Sequence, residues 1–186
     1  MSTQSVSTLP LPLGIYTVDP SHSAVFFQVR HLGLANVRGS LKKFDATLTM
    51  GPNFEDVEVS ATIDLSSIDT NQDDRDAHLL SSDFFNADSH PDMTFHSTRI
   101  TPAHQDGYEM VGDLTVNGVT QAAKLAVDFN GVETLPSDGK QRVGFTATSE
   151  IRRADYGIDL NVPLGMGKLA IGEVVKVEIE AEFIIP

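Results

Sequence analysis

Apolar and polar residues alternate along most of this chain with a period of two. Val57, Val59, Ala61, Ile63 and Leu65 are separated by Glu58, Ser60, Thr62 and Asp64, and Val175, Val177, Ile179, Ala181 and Phe183 by Lys176, Glu178, Glu180 and Glu182. Successive side chains of a strand point to opposite faces, so each run has one oily face and one wet face. Similar patterning predicts strands over 15–18, 23–31, 37–50, 93–100, 108–116, 119–129 and 143–152, the third of them bent near Lys42-Lys43. Asn117-Gly118 between two such runs marks a tight hairpin. One short helix is expected after Asn71 or Asp73, with Ala77, Leu79 and Leu80 as its apolar stripe. Residues 153–172 form a Gly-rich loop. Eight or nine strands and one helix make an all-β domain, whose oily faces close as a sandwich or as a barrel.

Strand parity also names what points inward. Val25, Phe27, Val29 and His31 share one face, as do Met110, Gly112 and Leu114, then Ala123, Leu125 and Val127, then Phe145, Ala147, Ser149 and Ile151. Small residues (Gly112, Ala147, Ser149, Ala181) recur near strand middles, bulky ones near strand ends, and there is no Trp. An eight-stranded barrel is just wide enough to be plugged by its own side chains or to hold one small ligand. The pattern alone leaves both outcomes open.

Composition narrows the function classes. The chain has 186 residues, one domain's worth, with a formal net charge of −13. That excess of acid argues against nucleic-acid binding, which needs clustered Lys and Arg facing phosphates, and against a purely electrostatic dock onto anionic lipid headgroups. With no cysteine, disulfides, thiolate nucleophiles and Cys-based metal sites are excluded. Residues 1–12, rich in Ser, Thr and Pro, are expected as a disordered tail, with the barrel domain over 13–186. The start lacks a basic segment and a continuous apolar run of signal-peptide length, and no segment suits a membrane-spanning helix, so a soluble, cytoplasmic protein without stable membrane insertion is expected.

Polar candidates are few. The six histidines show no HExxH-like spacing and there is no GxSxG, so no catalytic residue and no metal ligand is assigned and no cofactor is expected. His31, inward by parity, is a candidate anchor for a ligand headgroup. It also carries the alternative reading, an enzyme acting on an apolar substrate with a buried His as acid or base. Arg75, Asp76 and His78 on the helix are read as capping and salt-bridging groups, and Arg152-Arg153 as partners of the helix acids.

Several short segments occur in a telling order: Tyr16-Thr17-Val18-Asp19-Pro20-Ser21-His22-Ser23, Val29-Arg30-His31, Val37-Arg38-Gly39, Arg75-Asp76-Ala77-His78-Leu79, Ser82-Asp83-Phe84-Phe85, Pro91-Asp92-Met93-Thr94-Phe95-His96-Ser97 and Arg153-Ala154-Asp155-Tyr156-Gly157-Ile158. Together they resemble the YceI-like family of bacterial lipocalin-like proteins over residues 14–185; Tyr156 stands where the family commonly has Phe. The resemblance implies an extended antiparallel eight-stranded lipocalin-like barrel with one short helix near the mouth. It implies non-catalytic binding, transport or storage of a long apolar ligand, a polyisoprenoid or fatty-acid-derived lipid, and is compatible with a homodimer. On this reading the ligand meets Phe27, Val29 and His31 from the second strand, Ile63, and Leu79, Phe84, Phe85 and Phe95 around the helix. Met110, Leu114, Leu125 and Val127 from the hairpin, and Phe145, Ala147, Ile151, Ile179 and Ala181 from the last strands, complete the wall.

Overall fold

The alternating runs become strands of one antiparallel sheet, and that sheet closes on itself. The computed structural model describes residues 9–103 and 107–186. In chain order the strands are β1 (Gly14–Val18), β2 (Ala24–His31), β3 (Ala35–Leu41), β4 (Phe44–Met50), β5 (Glu58–Asp64) and β6 (Ile68–Asp69). After helix α1 (Asp73–Leu80) come β7 (Asp92–Pro102), β8 (Gly107–Val116), β9 (Val119–Thr134), β10 (Gln141–Arg152), β11 (Pro163–Gly165), β12 (Lys168–Leu169) and β13 (Ile171–Ile184). The ring runs β1-β4-β5-β7-β8-β9-β10-β13 and is shut by β13 on β1, where Val18 pairs with Phe183 and Thr17 with Ile184. The sandwich alternative is thereby excluded: the fold is a closed eight-stranded barrel, and closure removes the free edges of the ring.

Two strands of the ring are broken and re-laid. β1 and β2 both run along β13, interrupted at residues 19–23. There the Ser23 hydroxyl accepts the Glu182 N–H at 2.9 Å, and the Asp19 carboxylate accepts the Ser21 N–H at 3.0 Å. The single long strand expected over 37–50 is likewise two, β3 and β4, because Lys42 and Lys43 both donate their backbone N–H to Ser67 Oγ, at 3.0 and 2.9 Å. Each break satisfies the freed backbone groups with a buried or half-buried side chain, so the chain bends without orphaned donors.

Above these breaks the wall changes character. β6 pairs with β3 over only Ser40 and Leu41. Beyond that pairing the space between β3 and the tops of β7 and β8 is filled by α1 and the segment 81–91. The helix cap is Gln72, whose side chain accepts the Arg75 N–H, rather than Asn71 or Asp73. Ala77 is exposed, so the apolar stripe reduces to Leu79 and Leu80, which pack over Leu65 and Ile68. At the opposite end Tyr16, Leu48, Val143 and Phe183 form the best-buried cluster. Leu9 joins it and is itself buried, and the Tyr16 hydroxyl donates to the Pro12 carbonyl at 2.6 Å, so this part of the expected tail is fixed onto the barrel. Among the described residues no helix is long and apolar enough to cross a membrane.

One small inward residue leaves no gap. The ring of Phe95 lies over Gly112 on the neighbouring strand, where a Cβ would also come within 2.6 Å of the His96 carbonyl oxygen. Backbone cannot yield as a flexible side chain can. Gly112→Ala is therefore expected to cost about 1–3 kcal/mol through overpacking, read as a lowered denaturant midpoint at unchanged slope.

Candidate functional site

The inward faces enclose a cavity of about 610 Å³ running from Leu9 and Val57 at one end to Arg30, His31 and Leu160 at the other. Its Leu9–Val57 end is narrowed by aromatic rings: Phe145 meets Phe183 with centroids 6.3 Å apart and Phe129 at 5.8 Å. Its middle is bounded by Ala61, Phe95, Met110, Leu125, Ala147 and Ile179. Phe84, Phe85 and Met93 roof it under the helix, beside Tyr156 and Ile158 from the turn after β10. Every residue that strand parity and the family resemblance assigned to a ligand, from Phe27 and Val29 through Ile179 and Ala181, borders this cavity. The side chains do not plug the barrel.

Several lining residues were not singled out from sequence. Leu9 sits in a segment with no periodicity. Leu41, Phe44, Ala46 and Leu48 lie on either side of the β3–β4 break, which shifts the parity count. Leu160, Asn161 and Val162 belong to a loop with no strand signal, yet the Asn161 side chain both donates to the Ile171 carbonyl (2.8 Å) and accepts its N–H (3.0 Å), holding the loop beside β13.

Polar groups gather at the open end and are mostly engaged with backbone. Arg75 donates to the hydroxyl and carbonyl of Thr70, both at 2.8 Å, and Asp76 accepts the Thr70 N–H at 2.9 Å, so these helix residues tie down the turn before α1. Arg153 is buried. Its guanidinium donates to the carbonyls of Gly172 (2.8 Å), Ile158 (3.0 Å), Leu160 (2.9 Å) and Ile171 (3.4 Å), latching the 158–172 loop to the barrel top. Burial pulls its pKa down, with Glu173 and Asp159 acting the other way. Arg152 pairs with Glu173 at 3.8 Å, so neither arginine meets the helix acids as expected. Among the described residues no buried side-chain nitrogen or oxygen lacks a partner.

Among the described residues the histidines do not form a buried acid–base site. His31 borders the cavity but is exposed at the rim, and the described ion pairs do not include it. His22 lies outside the cavity against Asp19, and His78 pairs with Asp83 at 2.9 Å. Asp19, His22 and Glu182 come close enough to share a cation. Arg142 already supplies one: its Nε lies 2.9 Å from Asp19 Oδ2 and 3.9 Å from Glu182 Oε2, and its far side clasps Asp138. This cluster is an ion-pair knot at the β1–β2 break. Hydrogen bonds from His22 and Arg142 hold the Asp19 carboxyl far below the usual range, and Arg142 holds Asp138 down to about 2.

A closed eight-stranded barrel around an oil-lined cavity is the lipocalin-like architecture that holds one small ligand inside a β wall. The chain belongs to the YceI-like domain family, whose sequence profile matches residues 16–183. A UPF0312 protein of Staphylococcus aureus (strain N315) is 40% identical over 171 residues, 91% of this chain and 97% of that protein. Among solved structures the chain resembles the Campylobacter jejuni YCEI protein (29% identity, TM-score 0.69, 83% of this chain and 88% of that one). Two more distant structures share the fold: BcnA of Burkholderia cenocepacia, at 21% identity and TM-score 0.76, covering 89% of this chain and 98% of that one, and a polyisoprenoid binding domain from Saccharophagus degradans, at 17% and 0.65, covering 92% and 98%.

Proposed function

We propose that this protein binds a single long apolar molecule, a polyisoprenoid or fatty-acid-derived lipid, in its barrel and carries or stores it without catalysing a reaction on it. The observation that carries this reading is the 610 Å³ cavity walled by Val, Leu, Ile, Met, Phe and Ala from all sides of the ring. Its volume falls in the range of small-molecule sites, about 300–1,000 Å³. The name of the Saccharophagus degradans neighbour, a polyisoprenoid binding domain, supports the ligand class.

The energetics suit such a ligand. Each methylene withdrawn from water contributes about 0.8 kcal/mol, offset in part by ordering the chain. With the inward polar groups already satisfied by backbone, a hydrocarbon entering the cavity strips hydration from few of them. A polar headgroup is placed at the rim, near His31 and Asn161, where water still reaches it.

Extraction of freshly purified protein with organic solvent, followed by mass spectrometry, is expected to release a long apolar molecule. The stripped protein is expected to take up an added polyprenol or fluorescent fatty acid at one per chain. An empty extract together with no uptake of either probe would overturn the reading.

A further inference from the structure

Three two-residue turns in this chain share one left-handed geometry. Asn117 and Gly118 have φ of 52° and 70°, Leu32 and Gly33 also 52° and 70°, and Met166 and Gly167 53° and 73°. Asn is a usual occupant of the first position because its short side chain tolerates positive φ. Leu and Met have no such compensation, so two of the three turns hold a large apolar residue against the local backbone preference.

Both of those turns present their side chains to solvent on one side of the cavity mouth. Leu32 is 39% exposed and Leu34 79%, while Val162 is 59%, Leu164 46%, Met166 100% and Leu169 37% exposed. The two segments are joined: Leu32 donates its N–H to the Ala170 carbonyl at 2.7 Å, and Ala170 donates to Val162 at 2.9 Å. Arg30, His31 and Val162 border the cavity, so this apolar lip is continuous with its opening. A concentrated apolar patch on an otherwise acidic surface marks an interaction site.

Charge identifies the partner. Residues 28–40 and 160–172 contain no Asp or Glu, although the chain carries 26, and they hold Arg30, Arg38 and Lys168. Asp159 and Glu173 stand at the ends of the second segment, the latter paired with Arg152. The helix side of the mouth is acidic, with Asp73, Asp74, Asp83 and Asp88 all exposed. Apolar tips with basic and no acidic groups beside them match the interface of a bilayer bearing anionic headgroups. The net charge of the rest of the molecule is screened beyond about 10 Å at 0.1 M salt.

We propose that the lip formed by the β2–β3 turn and the β11–β12 hairpin docks on anionic lipid bilayers, seating Leu34 and Met166 in the interface and setting the cavity mouth against the membrane. The acidic helix side faces away, which fixes the tilt. This docking stands independently of what the cavity holds.

The test is co-sedimentation of the full chain with sucrose-loaded vesicles of equimolar phosphatidylcholine and phosphatidylglycerol, or of phosphatidylcholine alone. Uptake of a fluorescent fatty acid, delivered without vesicles, is measured on the same proteins. Pelleting with the anionic vesicles is expected, at least tenfold weaker with phosphatidylcholine alone. Leu34→Asp/Met166→Asp and Arg38→Glu/Lys168→Glu, none of them at the cavity wall, are each expected to lower vesicle affinity at least tenfold while leaving uptake intact. Ile15→Asp, at an apolar position 63% exposed near the other end of the barrel, is expected to change neither. No pelleting with either vesicle, or pelleting unchanged in both double variants, overturns the docking proposal. So does a solution dimer that Met166→Asp dissociates without any vesicle binding, which would assign the lip to a second copy of the chain. Docking without uptake would instead defeat the cavity reading alone.

Discussion

Ala147→Phe and Ala181→Phe are each expected to weaken binding of a long apolar ligand about a hundredfold while the barrel stays folded. Ala147 lies mid-strand among Phe95, Met110 and Leu125, and Ala181 pairs across the ladder with Phe145, nearer the narrow end. Both point into the 610 Å³ cavity. A phenyl ring there takes the space of roughly three or four methylenes, and at about 0.8 kcal/mol for each the lost burial is about 3 kcal/mol, two orders of magnitude in affinity. Overpacking is limited because the ring enters open space rather than close-packed side chains. Ala126→Phe, on the exposed outer face of β9, is the matched control and is expected to bind like the parent protein. Equilibrium titration with a fluorescent fatty acid, alongside circular dichroism, reads both quantities. Undiminished binding in both inward variants would mean that the ligand lies elsewhere.

Asp19→Ala carries the largest expected cost in stability. Arg142 and Asp19 are 9% and 7% exposed, and removing the carboxylate leaves the guanidinium the more exposed Asp138 and Glu182 and the Lys140 carbonyl. Breaking one side of a buried pair costs about 3–5 kcal/mol; with Asp138 still present the low end applies, roughly 6–12 °C in Tm for a chain of this size. The pH dependence follows from the same geometry. Both carboxyls titrate lower in the folded chain than in the unfolded chain, where an Asp titrates near ~3.9. Their stabilisation is therefore fully present above that unfolded value and is lost as pH falls below it, for Asp138 down to about 2. Thermal melts of the parent protein are expected to drop steeply between about pH 4 and pH 2. Asp19→Ala is expected to show a shallower drop. Parallel pH profiles for the two would remove the knot from the account of acid stability.

Much of the wall was legible because strand parity is a strict rule. One correct inward residue fixes every second neighbour, so Met110, Leu125, Ala147 and Ile179 follow from single assignments, and Asn117-Gly118 locks the β8–β9 register. Parity fails where a strand is interrupted. The break between β1 and β2 was legible at Asp19-Pro20, but nothing local announces that the Ser67 hydroxyl will take the N–H groups of Lys42 and Lys43, since those partners are distant in sequence. The same blindness made Gly112 look like empty space, which Phe95 fills from the adjacent strand. His31 was inward by count but exposed in place, because the barrel has already opened at that height.

The two-residue pairing of β6 with β3 has an energetic consequence for traffic through the barrel. Around most of its girth, widening the wall means breaking a ladder of backbone hydrogen bonds. Between the upper part of β3 and the tops of β7 and β8, the closure is α1 and the chain after it, resting on Leu79, Leu80 and Phe85. Displacing that flap would cost side-chain contacts and leave the ladder intact. In a drum otherwise riveted by its ladder, this flap is the seam held by packing in place of strand pairing.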